Sequence, residues 1–420
     1  MTMEESRQQQ ARQVSAAVTG PAQRLAIRHA TRIDARGIAA QAWLLSDNGV
    51  VLAQGAGGDN YRAALRAYGM EDAENVTIID AQEALMLPGY VDLHAHGAWQ
   101  HSFDDGQEAI AVARAGHAMH GTTRQVLSLI TNPVDVMCRN LQTVAQITKQ
   151  RPDVLGSHME GPFLALSRKG AHDPACLIAP EAGIVERFLD AAQGTLRQIT
   201  IAPELPDGID AIRTISASGA VAAVGHCDAD YDTAKRGFDA GARLMTHMFN
   251  AMNGLHHRNP GPIPAAVEDP RVTIELINDG FHVHDAALRL AFRMAPHRIA
   301  LVTDAMAATD CDDGSYRLGE LEVTVEGGHA RLVSNGAIAG STLVLEEAVR
   351  RAVQVLSVDP VQAVEAATLT PARALGLDVP NSITEAPLGL LSDGYAADIL
   401  LADPKDWSVQ HVWCAGRQIR

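Results

Sequence analysis

The chain is 420 residues long, enough for a large core and more than one domain, and its 47% hydrophobic and 20% charged residues describe an ordinary globular protein. A formal net charge of -16 excludes nucleic acid and anionic membrane as partners, because both demand basic patches. An anionic substrate would need a local basic pocket working against that field.

Residues 1–22 are polar and Gln-rich with no apolar core, so they do not read as a signal peptide and are expected to form a disordered extension. Between residues 25 and 79 the pattern is β-rich, with a helical stretch at 61–68 and a hairpin signal at Asp47-Asn48-Gly49. Two more strand-like runs, 397–401 and 408–414, close the chain. Residues 23–86 and 379–420 are therefore expected to make one small β-sandwich domain from both chain ends.

The middle, 87–378, alternates strand-like and helical runs. Candidate strands lie at 90–94, 124–130, 154–158, 198–202, 221–226, 243–247, 272–277 and 299–304. Helical patterns fall at 107–120, 133–148 and 285–294, with a last pair at 343–356 and 360–375. Such alternation implies a parallel sheet, and eight units imply a closed (β/α)8 TIM barrel, an α/β fold. A doubly wound sheet is the alternative, but no GxGxxG follows a strand. No run reaches transmembrane length. The five cysteines are scattered without a CxxC pair, which suits free thiols in a reducing compartment, so the cytoplasm is the expected location.

Metal-competent side chains recur at the carboxyl ends of these strands, where barrel enzymes place their active sites. His94 and His96 close the first strand in Leu87-Pro88-Gly89-Tyr90-Val91-Asp92-Leu93-His94-Ala95-His96, and side-chain alternation puts both on one side. Glu160 follows the third strand, His226 the fifth, His247 the sixth and Asp304 the eighth. Four imidazoles and two carboxylates suit zinc or iron(II), with manganese or cobalt as alternatives, whereas calcium prefers all-oxygen sites. Six ligands exceed the needs of one tetrahedral ion with an open position, so two ions sharing Glu160 is the economical arrangement.

The blocks PGYVDLHAHG, HMEGPF, RKGAHDP, THMFNAM, RNPG, NDGFHV, LVTDA and AIAGSTL stand in that order between residues 87 and 343. With them the chain resembles the amidohydrolase superfamily, and within it the N-acetylglucosamine-6-phosphate deacetylase family. Many amidohydrolases bridge two ions with a carboxylated lysine; here Glu160 stands in that place. Some members of the family lack the first two histidines and hold one ion, and this chain keeps both. Ala98-Trp99-Gln100-His101 departs from the glycine-rich text usual after the first motif.

The resemblance implies roles for particular positions. His94, His96, Glu160 and Asp304 would hold one divalent ion, and Glu160, His226 and His247 the other. Asp304 would take the proton from the attacking water and pass it to the leaving amine, while His282 would polarise the acetyl carbonyl. Arg258 would bind the substrate phosphate together with backbone amides at Asn250 and Ala251. Ala171, His172 and the stretch Ile338, Ala339 and Gly340 would contact the sugar. Family members are commonly homodimers, which would let His257 reach a neighbouring subunit's phosphate. The implied reaction is hydrolysis of N-acetylglucosamine 6-phosphate to glucosamine 6-phosphate and acetate. Its rivals are the galactosamine epimer, a different amide altogether, and a non-catalytic scaffold.

Overall fold

Eight parallel strands form the centre of the fold: Tyr90–Asp92, Thr122–Ile130, Val154–Glu160, Leu196–Ile201, Val221–Val224, Leu244–Met245, Thr273–Ile277 and Ile299–Val302. Each is hydrogen-bonded to the next in chain order in this computed structural model, which describes residues 3–71 and 74–420. Helices pack outside and side chains fill the inside, so a strand such as Thr122–Ile130 is buried at every position. The first and eighth strands meet through the segments that follow them. The Asp304 N–H donates to the His94 carbonyl at 2.8 Å, and the His96 N–H donates to the Ala305 carbonyl at 2.7 Å. Buried Asp92 reinforces this seam by accepting from the Thr303 hydroxyl at 2.7 Å and from the His94 N–H at 3.2 Å. The expected (β/α)8 barrel is thus closed, and the backbone that closes it carries three of the expected ligands.

Helices at Gln107–Met119, Val134–Thr148 and Asp285–Met294 match their expected positions within a residue. The run at 360–375 is instead two helices, Pro360–Ala367 and Leu369–Ala374, because Pro371 has no N–H to give the Ala367 carbonyl. The sequence reading also passed over a three-stranded antiparallel sheet, Gly314–Leu318, Leu321–Glu326 and His329–Leu332, which packs over Ile130, Ala171 and Met306 at the barrel mouth.

Both chain ends do build a second sheet. Its eight strands are linked by hydrogen bonding, and Leu25, Leu44, Val51, Ile399, Leu401 and Trp413 share one buried core. The strand Leu25–Asp34 pairs with Gly37–Asp47 on one edge and with Thr77–Asp80 and Leu85–Pro88 on the other. Ile399–Ala402 then joins Leu85–Pro88 to Val409–Cys414. The hairpin at Asn48-Gly49 has the two left-handed residues that a tight turn requires (φ 50 and 79).

The N-terminal extension is not disordered. Met3–Thr19 is a helix whose Ala11, Val14 and Val18 are buried against Trp99, Ala115 and Ala118. That stripe is narrow and the rest of the helix is polar, which is why composition concealed it; residues 1 and 2 lie outside the described residues, as do 72 and 73.

A buried ion pair joins the two parts of the molecule. Arg124 of the second barrel strand donates to both Asp398 oxygens at 2.6 and 3.0 Å, and the Ala415 N–H donates to the same carboxylate at 2.6 Å. Asp398→Ala would strand a buried guanidinium, so it should cost about 3–5 kcal/mol in denaturant unfolding; a loss under 1 kcal/mol would contradict the pairing.

His117 is fully buried with one ring nitrogen 3.0 Å from the Gly97 carbonyl, and burial pushes its pKa down to about 3. The folded ring therefore stays neutral while the unfolded one takes up a proton below about pH 6.5. Stability contributed by this group falls as pH drops from 6.5 towards 3. Between pH 7.5 and 5 the parent should lose about 2 kcal/mol more than His117→Gln, measured by unfolding at both pH values.

Candidate active site

Five of the six expected ligands come from just past, or at the last residue of, a barrel strand, and His96 from slightly beyond. His226, His247 and Asp304 adopt left-handed backbone conformations (φ 46, 24 and 49), which residues with a Cβ hold only where the surroundings impose it. The turn of the chain swings each side chain inward over the barrel mouth. Gly340 buttresses Asp304: at φ +66, a Cβ there would lie 2.9 Å from the Asp304 carbonyl.

The six side chains form two groups with Glu160 in common: His94, His96, Glu160 and Asp304, and Glu160, His226 and His247. In the first, His94 Nε2 lies 3.3 Å from His96 Nε2, 3.3 Å from Glu160 Oε1 and 3.4 Å from Asp304 Oδ1. In the second, His226 Nε2 and His247 Nε2 are 3.0 Å apart and each is 3.1 Å from Glu160 Oε1. The edges of a tetrahedron around an ion bound at 2.0–2.1 Å are about 3.3 Å, so these donors already stand at metal-ligand spacing.

The rings are aimed by hydrogen bonds at their far nitrogens. His226 Nδ1 is 2.8 Å from the Arg168 carbonyl, which fixes the proton on Nδ1 and leaves Nε2 a lone pair for a cation. His94 Nδ1 is 3.3 Å from Glu275, a fully buried carboxylate that also accepts from Gln198 at 2.8 Å. Burial works to protonate Glu160, yet His94 and the hydrogen bonds from His172 and His226 hold its carboxyl well below the usual range. Burial likewise disfavours a charged His94, but Glu160 and Asp304 outweigh it and raise that ring well above its ordinary value. A place that raises a buried imidazole so far is one that demands positive charge, and a divalent cation fits these donors.

Above the ligands opens a cavity of about 330 Å³. Of the expected substrate contacts, Ala171, His172, Asn250, Ala251, His282, Ile338 and Gly340 line it. Ala339 is fully buried behind the wall, with its N–H bonded to the Ala330 carbonyl at 3.1 Å. Arg258 is exposed on a run of exposed residues at 254–259 and is not in the lining. Arg168 is in the lining, its guanidinium held by Asp228 at 2.8 Å and by Asn253. His172 turns its Nε2 to Glu160 at 3.3 Å and its Nδ1 to the Thr131 hydroxyl at 2.9 Å, and burial lowers its pKa to about 4. His282 Nδ1 is 2.6 Å from Asp279 Oδ2; burial tends to raise that carboxyl, but the His282 hydrogen bond outweighs it and keeps it below its usual range.

The sequence matches the amidohydrolase family over residues 85–419. The chain belongs to that family. Among amidohydrolases it is 36% identical to an N-acetylgalactosamine-6-phosphate deacetylase of Escherichia coli O157:H7, over 81% of this chain and 89% of that protein. It is 34% identical to an N-acetylglucosamine-6-phosphate deacetylase of Vibrio furnissii, over 80% of this chain and 82% of the relative. Its fold is similar, with a TM-score of 0.85 and 36% identity, to a mutant N-acetyl-D-glucosamine-6-phosphate deacetylase from Mycobacterium smegmatis solved in complex with N-acetyl-D-glucosamine-6-phosphate. That match covers 95% of this chain and 100% of the other.

Two functional candidates escaped the sequence reading of this amidohydrolase. The signal for Glu275 was a lone acid inside the apolar run 272–277; Arg168 opens the block RKGAHDP but was given no role there. Glu275→Gln should weaken metal binding by about 10–100-fold in a chelator competition, because it withdraws the carboxylate behind His94. Unchanged affinity would reduce Glu275 to a packing residue.

Proposed function

We propose that this chain hydrolyses the acetamide of N-acetylglucosamine 6-phosphate, giving glucosamine 6-phosphate and acetate. The observation that carries the reading is the convergence of His94, His96, Glu160, His226, His247 and Asp304 beneath one cavity. His94, His96, Glu160 and Asp304 would hold one divalent ion and Glu160, His226 and His247 a second; zinc or iron(II) would suit the nitrogen-rich donors, manganese or cobalt less well. A divalent ion bound there supplies a Lewis acid and lowers the pKa of water towards about 7.

The chain's own groups do the rest. Asp304 is the most exposed of the six ligands at 9% and faces the cavity, where it can accept the proton of the attacking water and deliver it to the departing amine. His282, with Nδ1 tied to Asp279, presents its other ring nitrogen as the group that polarises the acetyl carbonyl. Arg168 and the amide at Ala251 offer donors to a phosphate from one wall, while the Asn250 N–H is given to the His247 carbonyl at 3.0 Å. Arg258 and His257 stand on the exposed loop, where they suit the phosphate of a neighbouring subunit in a homodimer. No helix among the described residues is long and apolar enough to cross a membrane. The five free cysteines suit a reducing compartment, which supports a cytoplasmic location.

The test is acetate release from N-acetylglucosamine 6-phosphate by metal-loaded protein, with the galactosamine epimer run in parallel. Release from the first sugar is expected to be faster; a reversed preference assigns the epimer, and no release from either with zinc, iron or manganese ends the reading. Asp304→Asn should lower kcat by about 10²–10⁴-fold, and a variant that keeps parental turnover would remove Asp304 from the proton path.

A further inference from the structure

The N-terminal helix does more than cover a barrel face. Its Arg7 guanidinium lies 5.8 Å from the centroid of the Trp99 ring and donates to the Cys311 sulfur at 3.3 Å and to the Asp310 carbonyl. Trp99 is only 4% exposed, and its indole N–H donates to the Asp310 carboxylate at 2.7 Å. Farther along the helix, Val14 and Val18 close over Ala115, Ala118 and the same Trp99. One helix therefore binds two loops at once.

Those loops are the continuations of the ligand-bearing segments. Trp99 comes shortly after His96, and Asp310 shortly after Asp304. Trp99 and Gln100 both hold left-handed backbone (φ 52 and 70), which ordinary residues keep only under restraint. The restraint is visible: the Trp99 N–H donates to the Thr309 carbonyl at 3.1 Å and the Gln100 N–H to the Ala307 carbonyl at 2.7 Å. Gly116 leaves room for the turn, since a Cβ there would lie 3.0 Å from the Ala98 Cβ and 3.2 Å from the Trp99 ring. The departure Ala98-Trp99-Gln100-His101 from the usual family text thus has a partner in this chain's own N-terminus.

We propose that the helix Met3–Thr19 is a strap across the seam of the barrel, with Arg7 and Trp99 as positioning residues. Through the segments after His96 and Asp304 it holds His94, His96 and Asp304 at the spacing their shared ion requires. His226 and His247 sit on other strands, so the strap acts unequally on the two groups. The inference rests on the metal-centre reading but not on the identity of the substrate.

The test uses full-length variants. Val14→Asp puts a carboxylate into the buried stripe and should undock the helix; Arg7→Ala removes the guanidinium and leaves the stripe intact. Each is loaded with zinc and dialysed against increasing chelator, with metal per chain, acrylamide quenching of tryptophan fluorescence, kcat and KM as readouts. Val14→Asp should show greater quenching, release its more labile zinc at about tenfold lower chelator than the parent, and lose kcat about tenfold with KM within about twofold. Arg7→Ala should move the same way by a smaller amount. Greater quenching with parental zinc retention and kcat would overturn the strap. If Val14→Asp does not fold, parental zinc retention in Arg7→Ala overturns it instead. Zinc retention is read without substrate, so a parent inactive on both sugars would sink the assigned reaction and leave this test standing.

Discussion

The barrel mouth is organised around one carboxylate. Glu160 has the ring nitrogens of His94, His96, His172, His226 and His247 all within 3.3 Å, and it is almost completely buried. An ionised acid so placed is costly unless positive charge accompanies it. The same acid belongs to both ligand groups, so any change in where it points is felt by all the rings together. This explains why so much of the surrounding structure is devoted to fixing angles: Arg168 and Glu275 behind two of the rings, and Ser128 and Thr200 bracketing the deeper His158 at 2.9 and 2.8 Å. Apart from Arg168, which opens the RKGAHDP block, none of these partners stands in a quoted motif, because each acts on the far nitrogen of a ring.

The second constraint is that barrel closure and ligand placement use the same backbone. In most of the barrel, neighbouring strands are joined by sheet pairing that has no bearing on chemistry. At the seam the pairing passes to His94, His96, Asp304 and Ala305, with Asp92 and Thr303 as buried side-chain ties. A stable fold and a competent site are therefore not independent properties of this chain.

The sequence made the barrel and the side chains gathered at its rim legible for a simple reason. Strand-like runs ending in His, Glu or Asp announce both the sheet and the rim at once, and all six candidate side chains do converge. Three things were harder to read. The left-handed conformations at His226, His247 and Asp304 depend on tertiary packing and carry no local signature. The N-terminal helix buries only a thin aliphatic stripe, so its polar composition resembled disorder. Arg258 sits in a family-like block, yet its position in space depends on a loop that no pattern of residues specifies, and Arg168 occupies the wall instead. The small mouth sheet was, by contrast, discoverable: Leu321, Val323 and Val325 alternate with polar residues ahead of Gly327-Gly328, a hairpin signature overlooked beside the longer barrel pattern.

The way the two chain ends share one sheet also bears on how the protein is made. Leu85–Pro88 leaves the ribosome early, but its neighbour Ile399–Ala402 is translated roughly three hundred residues later. During that interval the edge of a fully buried, apolar strand has no hydrogen-bonding partner of its own and is open to pairing with other chains. Synthesis of this molecule thus contains a window of vulnerability to aggregation, which only the final segment of the polypeptide closes.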